Sequence, residues 1–313
     1  MSFAKLLAMG CVSAAFCAPV LAAPTDIVID DQRVFPESLG STPDGTLYIG
    51  GSSTGRIYIA KPGQAKAESW ISKEDGDFHL VLGVLADKKS NMLWVCDNDT
   101  GAHSATLKTF ALDTGKKLKA FAFPGGGLCN DITLKNGTAY ITDTITGRIL
   151  ELLPGASQLT VWYSNPADPS FDGIVWAKDG KLYTNTYQSS HLIRIDVNSD
   201  GSAGNGTVLS TDLPLFQPDG MRLSTDGHIL MIEGQGRPGA GLKEGRLDEV
   251  TVHGESATIK VLQSGFELPA AVTAVGHTAW VLEAKFDYQR NADMKGKDPG
   301  TFHAYAVTVP PSK

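Results

Sequence analysis

The sequence predicts an all-β fold on three observations. Short apolar runs are divided by turns at Asp44-Gly45, Asn136-Gly137, Asp179-Gly180 and Asp226-Gly227, and a strand-like run such as Leu47-Tyr48-Ile49 follows each. No long stretch carries a 3.6-residue apolar period. The hairpins also repeat: Thr54-Gly55-Arg56-Ile57 returns as Thr146-Gly147-Arg148-Ile149. Counting back from each hairpin gives six anchor positions, Glu37, Gly83, Asn130, Asp172, Asp219 and Ala270, spaced 42–51 residues apart. Two residues after each anchor stands an apolar side chain: Leu39, Leu85, Ile132, Ile174, Met221 and Val272. A four-stranded repeat of ~40–50 residues is the mark of propeller blades, and one blade alone cannot bury both faces. The expected architecture is a six-bladed β-propeller with a central channel.

Lys5 and the apolar run from Leu6 to Leu21 read as a secretory signal ending at Val20-Leu21-Ala22. Residues 1–22 are thus expected to leave, and 23–313 to form a single propeller domain, exported to the periplasm or outside the cell. Cys11 and Cys17 depart with the signal; Cys96 and Cys129 remain, as a disulfide or as two buried thiols. Neither belongs to a CxxC pair, which disfavours zinc.

The six units fill Asp30 to Pro310, and their anchors carry the chemistry. They begin the innermost strands and should ring one mouth of the channel. Glu37, Asn130, Asp172 and Asp219 offer oxygen ligands suited to Ca²⁺, or to another hard divalent ion, with water or substrate completing the shell. No His or Cys joins them, which disfavours zinc, copper and iron. Taken singly, each is an ordinary turn residue. Their shared repeat position argues otherwise, because every unit already has its own turn further on. Three converging carboxylates without a cation would also repel one another.

The segments Pro36-Glu37, Asn130-Asp131-Ile132, Asp172-Gly173-Ile174 and Pro218-Asp219-Gly220-Met221 resemble the superfamily of regucalcin, gluconolactonase and diisopropylfluorophosphatase, over nearly the whole mature chain. That resemblance implies a calcium ion held by Glu37, Asn130, Asp172 and Asp219, and hydrolysis of lactones or phosphotriesters. It implies Asp219 as general base or nucleophile, and Asp131 as a second acidic group. Many relatives carry Asn where this chain has Asp172, so the loaded site here is formally −1 rather than neutral.

The ends of the second strands should face the metal. They carry Asp97, Asn98, Asp143, Asn185, Tyr187, Glu233 with Gln235, and Glu283 with Lys285, polar groups that suit a hydroxylated substrate. Other motifs are weaker. Gly51-Ser52-Ser53-Thr54-Gly55 spells GxSxG, but a strand rather than a helix follows it. Gly234 to Gly239 spells GxGxxG, but Pro238 and the lack of a βαβ unit argue against a dinucleotide site. Asn98, Asn136 and Asn205 begin glycosylation sequons.

The 313 residues carry a net charge of −7 with 42% apolar, 19% charged and 34 Gly residues, which excludes a disordered acidic chain and a coiled coil. A pI near 5.5 without a basic run argues against nucleic acid or an anionic membrane as partner. The functional expectation is a monomeric calcium-dependent hydrolase, most simply a lactonase, in which Asp219 or Glu37 takes the proton. The alternatives are a phosphotriesterase using the same site and a non-catalytic binding propeller, against which the acidic ring argues.

Overall fold

The computed structural model describes residues 25–234 and 244–311. The expected signal segment, Gln235 and most of the GxGxxG stretch lie outside the described residues. Those described form an all-β structure in which successive antiparallel hairpins build sheets of four strands or more.

Unit one is Pro36–Ser41, Leu47–Gly51, Arg56–Ala60 and Lys66–Ile71; unit two is Leu80–Asp87, Met92–Asp99, Ser104–Ala111 and Lys117–Ala122. Unit three is Cys129–Lys135, Thr138–Asp143, Arg148–Leu152 and Thr160–Ser164; unit four is Phe171–Trp176, Leu182–Thr186, His191–Val197 and Ala203–Val208. Units two, three and four are separate four-stranded sheets. Unit five is Pro218–Leu223, Ile229–Glu233, Gly245–His253 and Ser256–Phe266, with Ser210–Thr211 added as a fifth, parallel strand. Unit six is Pro269–Val275, Thr278–Glu283 and Phe302–Thr308, completed from the other end of the chain by Asp26–Ile29. That N-terminal strand also pairs in parallel with Lys66–Ile71, so units six and one share one eight-stranded sheet. This differs from the expected set of independent four-stranded sheets, and its cause is the short bridge made by Val28 and Ile29.

The turns form where the sequence places them. Asp44 Oδ1 accepts from Thr42 Oγ1 at 2.6 Å and from the Thr46 amide at 3.1 Å, holding the first turn. Asn136 and Gly137 both have positive φ, 52° and 83°, as a two-residue hairpin turn requires. The first strands of the six units touch in a closed cycle, unit one against two and so on round to six against one. Between each pair of neighbouring units lies one apolar cluster. Leu107, Ile132 and Ile141 join units two and three, while Val250, Met221 and Tyr183 join four and five. Each such side chain contributes roughly 1.5–3 kcal/mol on burial, so the stability of each unit depends on its neighbours.

Cys96 and Cys129 are joined as a disulfide, which ties the second strand of unit two to the first strand of unit three. Among the described residues no helix is long and apolar enough to cross a membrane.

Candidate active site

In every unit the first strand slips register against the second by a β-bulge, and the anchors sit on those bulges. A bulge adds a residue without a ladder partner and re-aims its side chain. The register corrects one sequence assignment. Val81 pairs with Asp97 and Val84 with Val95, just as Cys129 pairs with Asp143 and Ile132 with Ile141. The equivalent of Asn130 is therefore Leu82, not Gly83. In four units a non-glycine residue in the left-handed region stands two positions before the anchor: Phe35, Ser170, Gln217 and Leu268, with φ of 44°, 72°, 47° and 46°. Such backbone costs of order 1–3 kcal/mol each and persists where surrounding structure enforces it.

Gly173 and Gly220 follow two of the anchors because their neighbours come too close for a side chain. A Cβ at Gly173 would lie 2.5 Å from the Asp219 carbonyl oxygen, and one at Gly220 would lie 2.7 Å from that of Ala270. The close approach brings successive anchors together around the channel.

Glu37, Leu82, Asn130, Asp172 and Asp219 line a pocket of about 270 Å³. Beneath it lies a cavity of about 10 Å³, lined by Glu37, Asn130, Asp172 and Asp219 from above and by Ser38, Asp131 and Arg222. The four oxygen-bearing side chains thus form the partition between the two, and all are buried, 6–9% exposed. Asn130 turns its amide nitrogen to Thr144 Oγ1 at 2.9 Å and to Asp172 Oδ2 at 3.1 Å, leaving its carbonyl oxygen free. Asp219 Oδ1 accepts from the Gly220 amide at 2.9 Å. Among the described residues Asp172 Oδ1 is buried without a hydrogen-bond partner.

Among the described residues no Lys or Arg forms an ion pair with Glu37, Asp172 or Asp219; Arg222 and Arg290 favour the charged form of Glu37, and Arg290 that of Asp219, only from a distance. Burial pushes the Glu37 carboxyl well above the usual carboxylate range, and the charges of Asp172 and Asp131 push it further. Burial likewise raises Asp172, as do the charges of Asp219 and Asp131. Asp219 is raised by burial and by Glu37. Among the described residues no three His, Cys, Asp or Glu side chains are drawn together to metal-ligand spacing. The donor set nonetheless fits a hard cation: it is all oxygen, carries uncompensated charge, and includes one orphaned carboxylate oxygen.

Asp131 lies one level lower. Arg222 clamps it with both terminal nitrogens, at 2.6 and 2.8 Å, and the amides of Ile132 and Ile174 donate to it at 2.8 and 3.2 Å. It lines the small cavity and not the larger pocket.

Of the side chains expected at the pocket mouth, Tyr187 alone among the described residues lines the pocket. Asn98 spends both amide atoms on the Cys129 backbone, at 2.8 and 2.9 Å. Asn185 accepts from the Gly173 amide and donates to the Asp219 carbonyl, both near 3 Å or shorter. Asp143 accepts from the Leu128 amide at 2.9 Å and pairs with Arg148. Glu233 accepts from the Phe216 amide at 2.7 Å and pairs with Arg246; its carboxyl is raised by burial and by Asp248. Glu283 accepts from the Glu267 amide at 2.7 Å and is raised by burial. Asp97 does the same for His79 at 2.7 Å. These side chains pin the segments leading into the anchor-bearing strands. The physical reason is that a buried strand end must satisfy the adjacent free amide before it can serve a ligand.

Other groups at the pocket escaped the sequence reading. The connection 284–301 in unit six carries a helical turn, Asp287–Arg290, which brings Phe286, Gln289 and Arg290 to the pocket. Gln289 Nε2 donates to Ser53 Oγ at 2.5 Å, so this connection is tied to the loop of unit one. Arg290 lies over the Phe286 ring, 4.4 Å from its centroid. The one sequence sign of this element was the length of the connection, since four residues suffice in units one to four. Ser53 does lie in a hairpin loop, and the strand Arg56–Ala60 follows it.

The fold has solved counterparts. A luciferin-regenerating enzyme superimposes with a TM-score of 0.65 at 15% identity, over 88% of this chain and 92% of that one. A gluconolactonase from Xanthomonas campestris gives 0.64 at 13% identity, over 92% and 99%. The fold is a β-propeller. A second protein described as a putative gluconolactonase gives 0.64 at 14% identity, over 94% and 96%. No protein-family model and no curated protein matches the chain.

Proposed function

We propose that this single-domain chain is a six-bladed propeller and an exported, calcium-dependent hydrolase that opens lactones. The closed cycle of six inner strands supports the blade count, with the eight-stranded sheet read as two blades bridged by Asp26–Ile29. The Cys96–Cys129 disulfide supports an oxidising compartment outside the cytoplasm. The likeness in fold to gluconolactonases supports the substrate class.

One observation carries the activity: Glu37, Asn130, Asp172 and Asp219 bring uncompensated oxygen donors to the floor of a pocket. Those four would hold the ion, which when bound supplies Lewis-acid polarisation of an ester carbonyl. The chain supplies the rest. Asp219, oriented by the Gly220 amide, accepts the proton of the attacking water or attacks the carbonyl itself. Burial and the charge of Asp219 raise the Asp172 carboxyl, so the two acids do not ionise independently. Glu37 offers a second basic oxygen. Asp131 acts from below, through Arg222 and the strand amides, and holds the floor in place.

The test uses the mature chain stripped with chelator and assayed on lactones and phosphotriesters with and without calcium. Lactone opening should require calcium. Glu37→Gln combined with Asp219→Asn should abolish saturable calcium binding by calorimetry and lower turnover on the order of 10³-fold. Undiminished calcium binding in that variant, or a folded, calcium-loaded chain inert towards every lactone, would overturn the reading.

A further inference from the structure

Two unlike sets of side chains line the pocket. Units two and three contribute Leu80, Leu82 and Leu128, beside Asn130 and Thr144. Leu82 holds an anchor position, the point where four other units present oxygen atoms. It belongs to the apolar cluster between units two and three, and Leu80 and Leu128 pack against that cluster while remaining partly exposed. Units four and six contribute Tyr187, Gln188 and Arg290. None of these three side chains makes a hydrogen bond or ion pair among the described residues; Arg290 has only the Phe286 ring beneath it.

Apart from the four anchor side chains, the hydroxyl groups of the wall are already engaged. Ser52 donates to the Phe35 carbonyl at 2.7 Å, Thr144 donates to that of Phe171 at 2.7 Å, and Ser170 Oγ accepts from the Gln188 amide at 3.1 Å. The strand-end amides and carboxylates expected to read hydroxyl groups are bonded to backbone instead. A polyhydroxylated ring set against the leucines would exchange water for carbon on that side, leaving the hydroxyls that face them without partners.

From this we infer that the substrate is a lactone bearing an aliphatic arm rather than a sugar lactone. The arm lies on Leu80, Leu82 and Leu128. The ring ester sits over Asp219, and its acceptor oxygens face Tyr187, Gln188 and Arg290. This rests on the lactonase reading and narrows it.

The experiment compares γ-lactones of increasing chain length, from butyrolactone to dodecanolactone, with gluconolactone, using the calcium-loaded mature chain. kcat/KM should rise with each added methylene, by up to about fourfold per step, until the wall is covered. Gluconolactone should be the poorer substrate. Leu82→Asn and Leu128→Ser should each flatten the chain-length dependence; Leu128 is only partly buried, so its variant keeps the test alive where Leu82→Asn fails to fold. A flat or falling series with gluconolactone preferred overturns the aliphatic-arm inference and leaves the lactonase reading standing. Where no lactone is opened, the lactonase reading fails, and calorimetry with γ-hydroxydecanoate against gluconate decides the pocket. Tighter binding of the alkyl acid upholds the apolar wall, and equal or weaker binding overturns it.

Discussion

Two levels of the same inner strands treat buried carboxylates in opposite ways. At the bulges, Glu37, Asp172 and Asp219 are buried without an ion pair among the described residues, and all three are pushed upward by burial and by neighbouring carboxylates. One residue beyond the Asn130 bulge, Asp131 is equally buried but sits in a two-nitrogen clamp from Arg222 and accepts two backbone amides. The strand-end acids follow the lower pattern: Asp97 pairs with Lys108, Asp143 with Arg148, and Glu233 with Arg246. A buried charge is tolerated when it is paired and hydrogen-bonded. Among the described residues, the carboxylates Asp97, Asp131, Asp143 and Glu233 are ion-paired, and the three that face the pocket are not.

Breaking the lower level should give the largest effect. Arg222→Met leaves Asp131 buried and uncompensated and should cost about 3–5 kcal/mol. Urea denaturation measures this. Asp131→Asn added to Arg222→Met should recover most of the loss, because the uncompensated charge is then gone. An Arg222→Met chain as stable as the parent would remove the contrast between the levels.

The upper level should show itself in pH dependence. A carboxyl raised in the folded state binds a proton that the unfolded chain releases above a pH of about 4. Its contribution to stability is therefore fullest below that value and is lost as pH rises through the raised values of Glu37, Asp172 and Asp219. The chelator-treated chain should melt at a lower temperature at pH ~8 than at pH ~5. With calcium present the ionised carboxylates gain a partner, so the decline should shrink. Melting curves that run parallel with and without calcium would speak against an ion at these residues.

The repeat was legible because packing between neighbouring units demands an apolar side chain at one fixed point, occupied by Leu39, Ile132, Ile174, Met221 and Val272. The one-residue slip in unit two has a physical cause. Gly83 looks like an anchor beside Asp172-Gly173 and Asp219-Gly220, but it matches those glycines, and its missing side chain admits the Asn130 carbonyl. The fate of the strand ends was not legible. Whether Asn98 or Glu233 faces the pocket or a neighbouring amide depends on the bulge and on left-handed backbone at Phe35, Ser170, Gln217 and Leu268, residue types that do not advertise that conformation. Arg222 also escaped notice, since only the folded ring brings it to Asp131, 91 positions away.

A smaller change within the upper level would sharpen the comparison. Asp172→Asn removes one negative charge and keeps an oxygen at the same reach. Calcium affinity should fall on the order of tenfold, since ligand charge tunes it. Turnover at saturating calcium should hold or rise, because less of the ion's charge is offset. A calcium titration of turnover separates the two effects. Collapse at every calcium concentration would move the base or nucleophile from Asp219 to Asp172, since an amide can fill neither role.

The smallest effect should come from Ser53, which lines the same pocket as the acidic floor but carries no charge. Its motif resembles that of a serine hydrolase, yet the strand Arg56–Ala60 follows it and its hydroxyl is bonded to Gln289 at 2.5 Å. That bond ties the connection bearing Arg290 to unit one. Ser53→Ala should therefore loosen one tether, raising KM a few-fold with kcat held. Gln289→Ala should do the same, and the double variant should be little worse than either, because both remove one interaction. Loss of a serine nucleophile would instead lower kcat on the order of 10³-fold or more while sparing Gln289→Ala. Kinetics of these three variants thus decide whether the chemistry belongs to the uncompensated carboxylates or to a hydroxyl on the wall above them.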